Sequence, residues 1–84
     1  MRFTLYGRPW CHLCSDMAQA LAPLARDWGF EVDEIDVDAD PGLEARYGER
    51  IPVLTESDGR EICHYFLDLQ ALRSALERSR HRAA

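Results

Sequence analysis

The stretch Gly7-Arg8-Pro9-Trp10-Cys11-His12-Leu13-Cys14 separates a short apolar run from a helical one, and the organisation of the whole chain turns on it. Two cysteines separated by two residues at the start of a helix stand about one turn apart, a spacing that lets a disulfide open and close. At about 100° per residue from Cys14, the side chains of Cys14, Met17, Ala18, Leu21, Leu24, Ala25 and Trp28 fall on one stripe, with Asp16, Gln19 and Asp27 opposite. Cys14 lies near the middle of that stripe and Cys11 at its edge, which predicts a buried Cys14 and a Cys11 reachable from solvent. The helix N-terminus also offers unpaired backbone N–H groups and the positive end of the macrodipole, with Arg8 and His12 nearby. Such placements lower a cysteine pKa from about 8.5 into a range of roughly 3.5 to 7.5. The pattern points to Cys11 as an attacking thiolate and Cys14 as a resolving thiol.

With 84 residues the chain has room for one domain, residues 1–84, with one modest core. An apolar fraction of 46% and scattered charge describe a globular chain. No run approaches the roughly 18 apolar residues of a membrane helix. Met1-Arg2-Phe3 leads straight into a strand pattern without a signal-peptide signature, so a cytoplasmic location is the expectation. In that compartment a Cys-x-x-Cys pair reads as catalytic or metal-binding before it reads as a permanent bridge. The net charge of −5 disfavours nucleic acid, which needs a concentrated basic surface. Arg78, Arg80, His81 and Arg82 read as a frayed helix end whose cations complement the helix dipole.

Arg2 to Tyr6 alternates Phe3 and Leu5 with polar residues and reads as a strand. A helix follows from Cys11 to Trp28, with Gly29 as its C-cap. Pro23 lies opposite the apolar stripe, which predicts one bent helix and not two. Phe30 to Val37 reads as a second strand with acidic flanks, charge that suits a sheet edge. Asp40 and Pro41 look like an N-cap and a first helical residue, and Gly48 like the C-cap of a two-turn helix. A third strand starts at Ile51, Ser57-Asp58-Gly59-Arg60 forms a hairpin turn, and Glu61 to Tyr65 returns. Asp68 caps a last helix in which Leu69, Leu72 and Leu76 share a face. The order is β-α-β-α-β-β-α. A right-handed parallel crossover followed by a hairpin gives an α/β fold, a four-stranded mixed sheet with helices on both faces.

A strand, Cys11-x-x-Cys14 opening a helix, then Tyr47-Gly48-x-x-Ile51-Pro52-Val53-Leu54 and a glycine-turn hairpin resembles the thioredoxin superfamily, and by length its small glutaredoxin-like branch. The resemblance covers nearly the whole chain. It implies a thioredoxin-like fold and a thiol–disulfide oxidoreductase with Cys11 as nucleophile and Cys14 as resolving cysteine. It implies a cis-proline at Pro52, with Ile51 offering backbone hydrogen bonds to an extended substrate. Arg8 stands where glutaredoxins often carry a lysine that contacts glutathione. The implied partners are a disulfide-containing protein or a glutathione mixed disulfide, with a reductase or glutathione as electron donor. No bound cofactor is implied, glutathione acting as a co-substrate, and the protein is expected to be a monomer. Two departures are plain: His12-Leu13 replaces the usual Pro-Tyr between the cysteines, and Cys63-His64-Tyr65-Phe66 stands where the family carries Gly-Gly before a Cys/Ser-Asp element, with bulky side chains in the glutathione groove.

Several residues admit a second reading. Cys11, Cys14, Cys63 and His64 would make a Cys₃His set suited to zinc, yet adjacent strand residues such as Cys63 and His64 point to opposite faces. Cys63 reads as a buried small hydrophobe. His12 is either a second cation beside the thiolate or an exposed histidine without a role. Trp10 either shields the disulfide and joins a docking surface or packs within its loop. Trp28 and Phe30 read as core, and Tyr47 as packing at the end of the second helix. A redox-inactive adaptor on the same fold is the third functional class.

Overall fold

The computed structural model describes residues 1–83, with side chains through Arg80. Strand β1 (Arg2–Gly7) turns Phe3 and Leu5 to one face of the sheet and Tyr6 to the other, as the alternation requires. Helix α1 (His12–Trp28) runs unbroken past Pro23, which sits on its exposed side. Cys11 is its N-cap and not its first residue. Gly29 closes it at φ 73°, donating its N–H to the Ala25 carbonyl at 3.0 Å, the left-handed stop that glycine adopts without Cβ strain.

Strand β2 (Glu31–Asp36) pairs in parallel with β1, while β1 pairs antiparallel with β3 (Val53–Glu56) and β3 with β4 (Glu61–His64). The order β2-β1-β3-β4 makes β2 an edge, as its acidic flanks suggested. There Arg2 pairs with Glu31 and Asp33, each at 2.8 Å, in an exposed cluster that lowers the Asp33 pKa. Val37 does not continue β2. It opens a 3₁₀ turn (Val37–Ala39) and is fully buried, because the chain must fold over the sheet to reach α2 (Pro41–Tyr47).

Helix α2 is capped by Asp40, whose carboxylate accepts the Gly42 N–H at 2.8 Å. Gly48 follows it in the right-handed region, at φ −53°, and not in the left-handed conformation of a glycine stop. Its role is space: a β-carbon there would stand 2.5 Å from the Glu44 carbonyl oxygen. Strand β3 begins at Val53 and not at Ile51, since Pro52 has no N–H for a ladder. Gly59, at φ 93°, makes the β3–β4 turn, and a register shift beside Leu54 and Thr55 marks an irregularity in that pairing.

Helix α3 (Leu69–Ala83) starts after Asp68, which accepts the Ala71 N–H at 3.0 Å. Its buried stripe is Leu72, Ala75 and Leu76; Leu69, in the first turn, is 48% exposed and does not join the face expected of it. The main core lies between one sheet face and helices α1 and α3, around Phe3, Leu21, Leu54 and Leu72, each contributing about 1.5–3 kcal/mol on burial. Phe30 belongs to it, and Trp28 packs at its margin beneath the Arg73 guanidinium. On the other face α2 covers Val37, Tyr47 and Val53, with Tyr6 stacked on Tyr47 at 4.2 Å. Helices thus cover both faces, two on one side and one on the other.

The C-terminal basic run is not simply a frayed end. Arg78 donates to Glu56 at 2.8 Å, and that carboxylate is only 2% exposed. The side chains of His81 and Arg82 lie outside the described residues.

Candidate active site

The sequence dictates a turn between β1 and α1: Gly7 ends the strand, Pro9 has no N–H to extend it, and Cys11 takes extended geometry at φ −93°, ψ 112° as the N-cap. Its Sγ accepts the Cys14 N–H at 3.2 Å, so the sulfur takes the place that a Ser or Asp oxygen usually fills at a helix start. The Cys11 and Cys14 sulfurs are bridged, with Cα atoms 5.2 Å apart, within the span of roughly 4.4–6.8 Å that disulfides use. Cys11 is half-buried and Cys14 is 9% exposed, the asymmetry expected from the helical stripe.

Trp10 adopts φ 67° and stands wholly in solvent, so packing within its loop is not its role. A tryptophan held in the left-handed region carries backbone strain, a feature that concentrates at functional sites. Arg8 does not extend freely toward the cysteines. Its Nη2 lies 3.2 Å from Asp38 and 3.5 Å from Glu44, tying the loop to the 3₁₀ turn and α2. His12 is exposed.

The opposite flank comes from β3. Tyr6 pairs with Val53, so the register carries Pro52 alongside Gly7, and Gly7 lies against the Cys14 sulfur. The Ile51–Pro52 peptide is cis, as the family resemblance implied. Pro52 is buried, and Ile51 is half-buried against the α2-side core.

Tyr65 is the participant that sequence reasoning missed. It takes φ 64°, donates its N–H to the Pro52 carbonyl at 2.9 Å and its hydroxyl to the Glu49 carbonyl at 2.8 Å. One residue thereby fastens the end of β4 to both sides of the cis peptide. Strand β4 correspondingly ends at His64, and not at Tyr65. No local propensity announces a tyrosine at positive φ; the one signal was that Cys63-His64-Tyr65-Phe66 stands in the region where the resembled family carries a Gly-Gly pair.

Cys63 lies opposite Leu54 on β4 and packs half-buried against the main core, less enclosed than expected. Burial pushes its pKa up, partly offset by the Asp68 backbone. His64 pairs with Glu61 at 2.7 Å. Among the described residues no three His, Cys, Asp or Glu side chains converge as metal ligands, so the Cys₃His set is not assembled.

The mixed four-stranded sheet, with a Cys-x-x-Cys pair at the start of its first helix and a cis-proline beside it, defines a thioredoxin-fold dithiol protein. The chain belongs to the family described as glutaredoxin-like domain (DUF836), which matches residues 2–77. It is 39% identical over 80 residues to an uncharacterized protein of Mycobacterium tuberculosis, covering 89% of this chain and 81% of that one. Among solved structures it resembles protein Ne2328 of Nitrosomonas europaea, at 36% identity, TM-score 0.78 and 87% coverage of each chain. It also resembles the structural genomics target XcR50 of X. campestris, at 41% identity, TM-score 0.68 and coverage of 89% and 95%. Thioredoxin 1 of Thermosipho africanus, 17% identical with TM-score 0.65 over 99% and 98% of the two chains, shares the fold.

Proposed function

We infer that this protein is a thiol–disulfide oxidoreductase in which Cys11 attacks and Cys14 resolves. The observation that carries this reading is the Cys11 sulfur at the N-cap, accepting the Cys14 N–H at 3.2 Å at the positive end of α1. Those partners favour a thiolate over a thiol, and the half-buried setting leaves it accessible.

In the reduced protein the Cys11 thiolate attacks one sulfur of a substrate disulfide, forming a mixed disulfide and expelling the other substrate sulfur as a thiolate. Cys14, on losing its proton, attacks Cys11 Sγ. The Cys11–Cys14 disulfide forms and the second substrate thiolate leaves, so two electrons pass from protein to substrate. A dithiol reductase, or glutathione in two exchange steps, restores the pair. Trp10, Ile51, Pro52 and the Arg8 loop form the surface around the attacked disulfide.

A protein disulfide suits this surface better than a glutathione mixed disulfide. Asp38 and Glu44 share the Arg8 charge, and Tyr65 and Phe66 stand at the end of β4. In this reading the protein works as a cytoplasmic monomer without a bound cofactor, nucleic acid or membrane. Its net charge of −5 supports the absence of nucleic acid, and among the described residues no helix is long and apolar enough to cross a membrane.

The test is the redox potential of the pair, measured by equilibration against glutathione buffers and alkylation of free thiols. A two-electron transition between about −120 and −270 mV supports the reading. Absence of a Cys11–Cys14 disulfide in every buffer overturns it.

A further inference from the structure

Beside the dithiol, on the side of β2, runs a groove of about 460 Å³ that Cys11 and Cys14 both line. Its lining is chiefly apolar, with Leu5, Ala18 and the exposed Trp10 among its residues. Glu34 and Asp36, on the exposed edge strand, line it as well. Neither carboxylate has a cationic partner among the described ion pairs. Asp36 uses one oxygen to accept the Asp38 N–H at 2.9 Å, and the one arginine in the lining, Arg8, is engaged by Asp38 and Glu44. The groove therefore brings the dithiol, a chiefly apolar lining and two carboxylates without an ion-pair partner among the described residues into one place.

We propose that this groove receives a lysine or arginine side chain flanking the disulfide of a protein substrate, so that the enzyme selects disulfides in basic segments. The proposal rests on the oxidoreductase reading above. A long cationic side chain matches both parts of this groove, laying its methylene stem on the apolar lining while its charged head reaches the carboxylates. An acidic segment meets like charge there, and a purely apolar side chain leaves Glu34 and Asp36 facing no partner.

The test compares reduction of two disulfide peptides that differ only in carrying arginine or glutamine on both sides of the attacked cysteine. Wild-type protein at low ionic strength is expected to favour the arginine peptide about tenfold in kcat/KM. That preference should fall toward unity in a Glu34→Gln, Asp36→Asn double variant and in high salt. It should persist in Asp27→Asn, Glu77→Gln, which removes the same charge elsewhere. Equal rates in the wild type, or an undiminished preference in the groove variant, overturn the proposal. Should the wild type reduce neither peptide nor a small aromatic disulfide, the oxidoreductase reading falls. The groove is then judged by tryptophan fluorescence titration with the S-methylated peptides: tighter binding of the arginine peptide that vanishes in the groove variant supports it, and equal binding overturns it.

Discussion

Gly7 and Cys14 meet where only a hydrogen fits: a β-carbon on Gly7 would stand 2.9 Å from the Cys14 sulfur and 3.2 Å from its Cβ. Gly7→Ala must therefore displace Cys14 or the end of β1. Overpacking of this kind costs about 1–3 kcal/mol. A lower urea midpoint is expected together with slower resolution of mixed disulfides. An unchanged midpoint would show that the contact yields freely.

The unequal exposure of the two cysteines predicts unequal consequences for their loss. Cys14→Ser should accumulate a mixed disulfide with substrate, because Cys11 still attacks and nothing resolves. Cys11→Ser should trap none. Mass spectrometry after brief incubation with a disulfide peptide distinguishes these outcomes, and trapping by Cys11→Ser alone would reverse the assigned roles.

Burial raises the Cys63 pKa, so the folded chain holds this proton to higher pH than the unfolded chain does. Between the two values the unfolded state binds fewer protons. The stabilisation is complete below the unfolded thiol pKa and is lost as pH rises through the folded one. Wild-type stability should accordingly fall, as pH rises above the ordinary thiol value of about 8.5, more steeply than that of Cys63→Ala. Denaturant midpoints across that range provide the check. At neutral pH, Cys63 should also alkylate far more slowly than Cys11 in the reduced protein.

Arg78 reaches from α3 to the buried Glu56 at 2.8 Å, whereas Arg60 stands at 3.9 Å from the same carboxylate. Arg78→Met removes the cation held at 2.8 Å from a buried carboxylate and should destabilise by about 2 kcal/mol, less than the roughly 3–5 kcal/mol of a fully buried pair broken at one partner, because Arg78 is partly exposed. Adding Glu56→Gln should recover much of the loss, since a neutral amide costs less to bury. Thermal unfolding of both variants tests this.

The features legible in the sequence are those written in local chemistry. The helical stripe placed Cys14 inside and Cys11 at the rim. Gly29, Asp40-Pro41 and the Ser57–Arg60 turn marked their boundaries because capping and positive φ are properties of a few adjacent residues. The cis bond at Pro52 came from family resemblance, since proline by itself favours trans. What escaped reading depends on partners distant along the chain. Leu69 has the right spacing for the core but precedes the point where α3 meets the sheet. Val37 looks like the end of a strand until the crossover bends over β3. Arg78 looks like a helix-end cation until Glu56 is found beneath it, 22 residues earlier. Tyr65 looks only bulky until its two hydrogen bonds around Pro52 are seen.

Cys14 is at once half of the Cys11–Cys14 bridge and part of the buried stripe of α1, so opening that bridge and unfolding the chain form one thermodynamic cycle. Every 30 mV by which the helix end makes this pair more oxidising than the same cysteines in an unfolded chain must reappear as about 1.4 kcal/mol favouring the reduced fold over the oxidised one. A chemical denaturation curve of each redox form is thus an electrochemical measurement, made without an electrode.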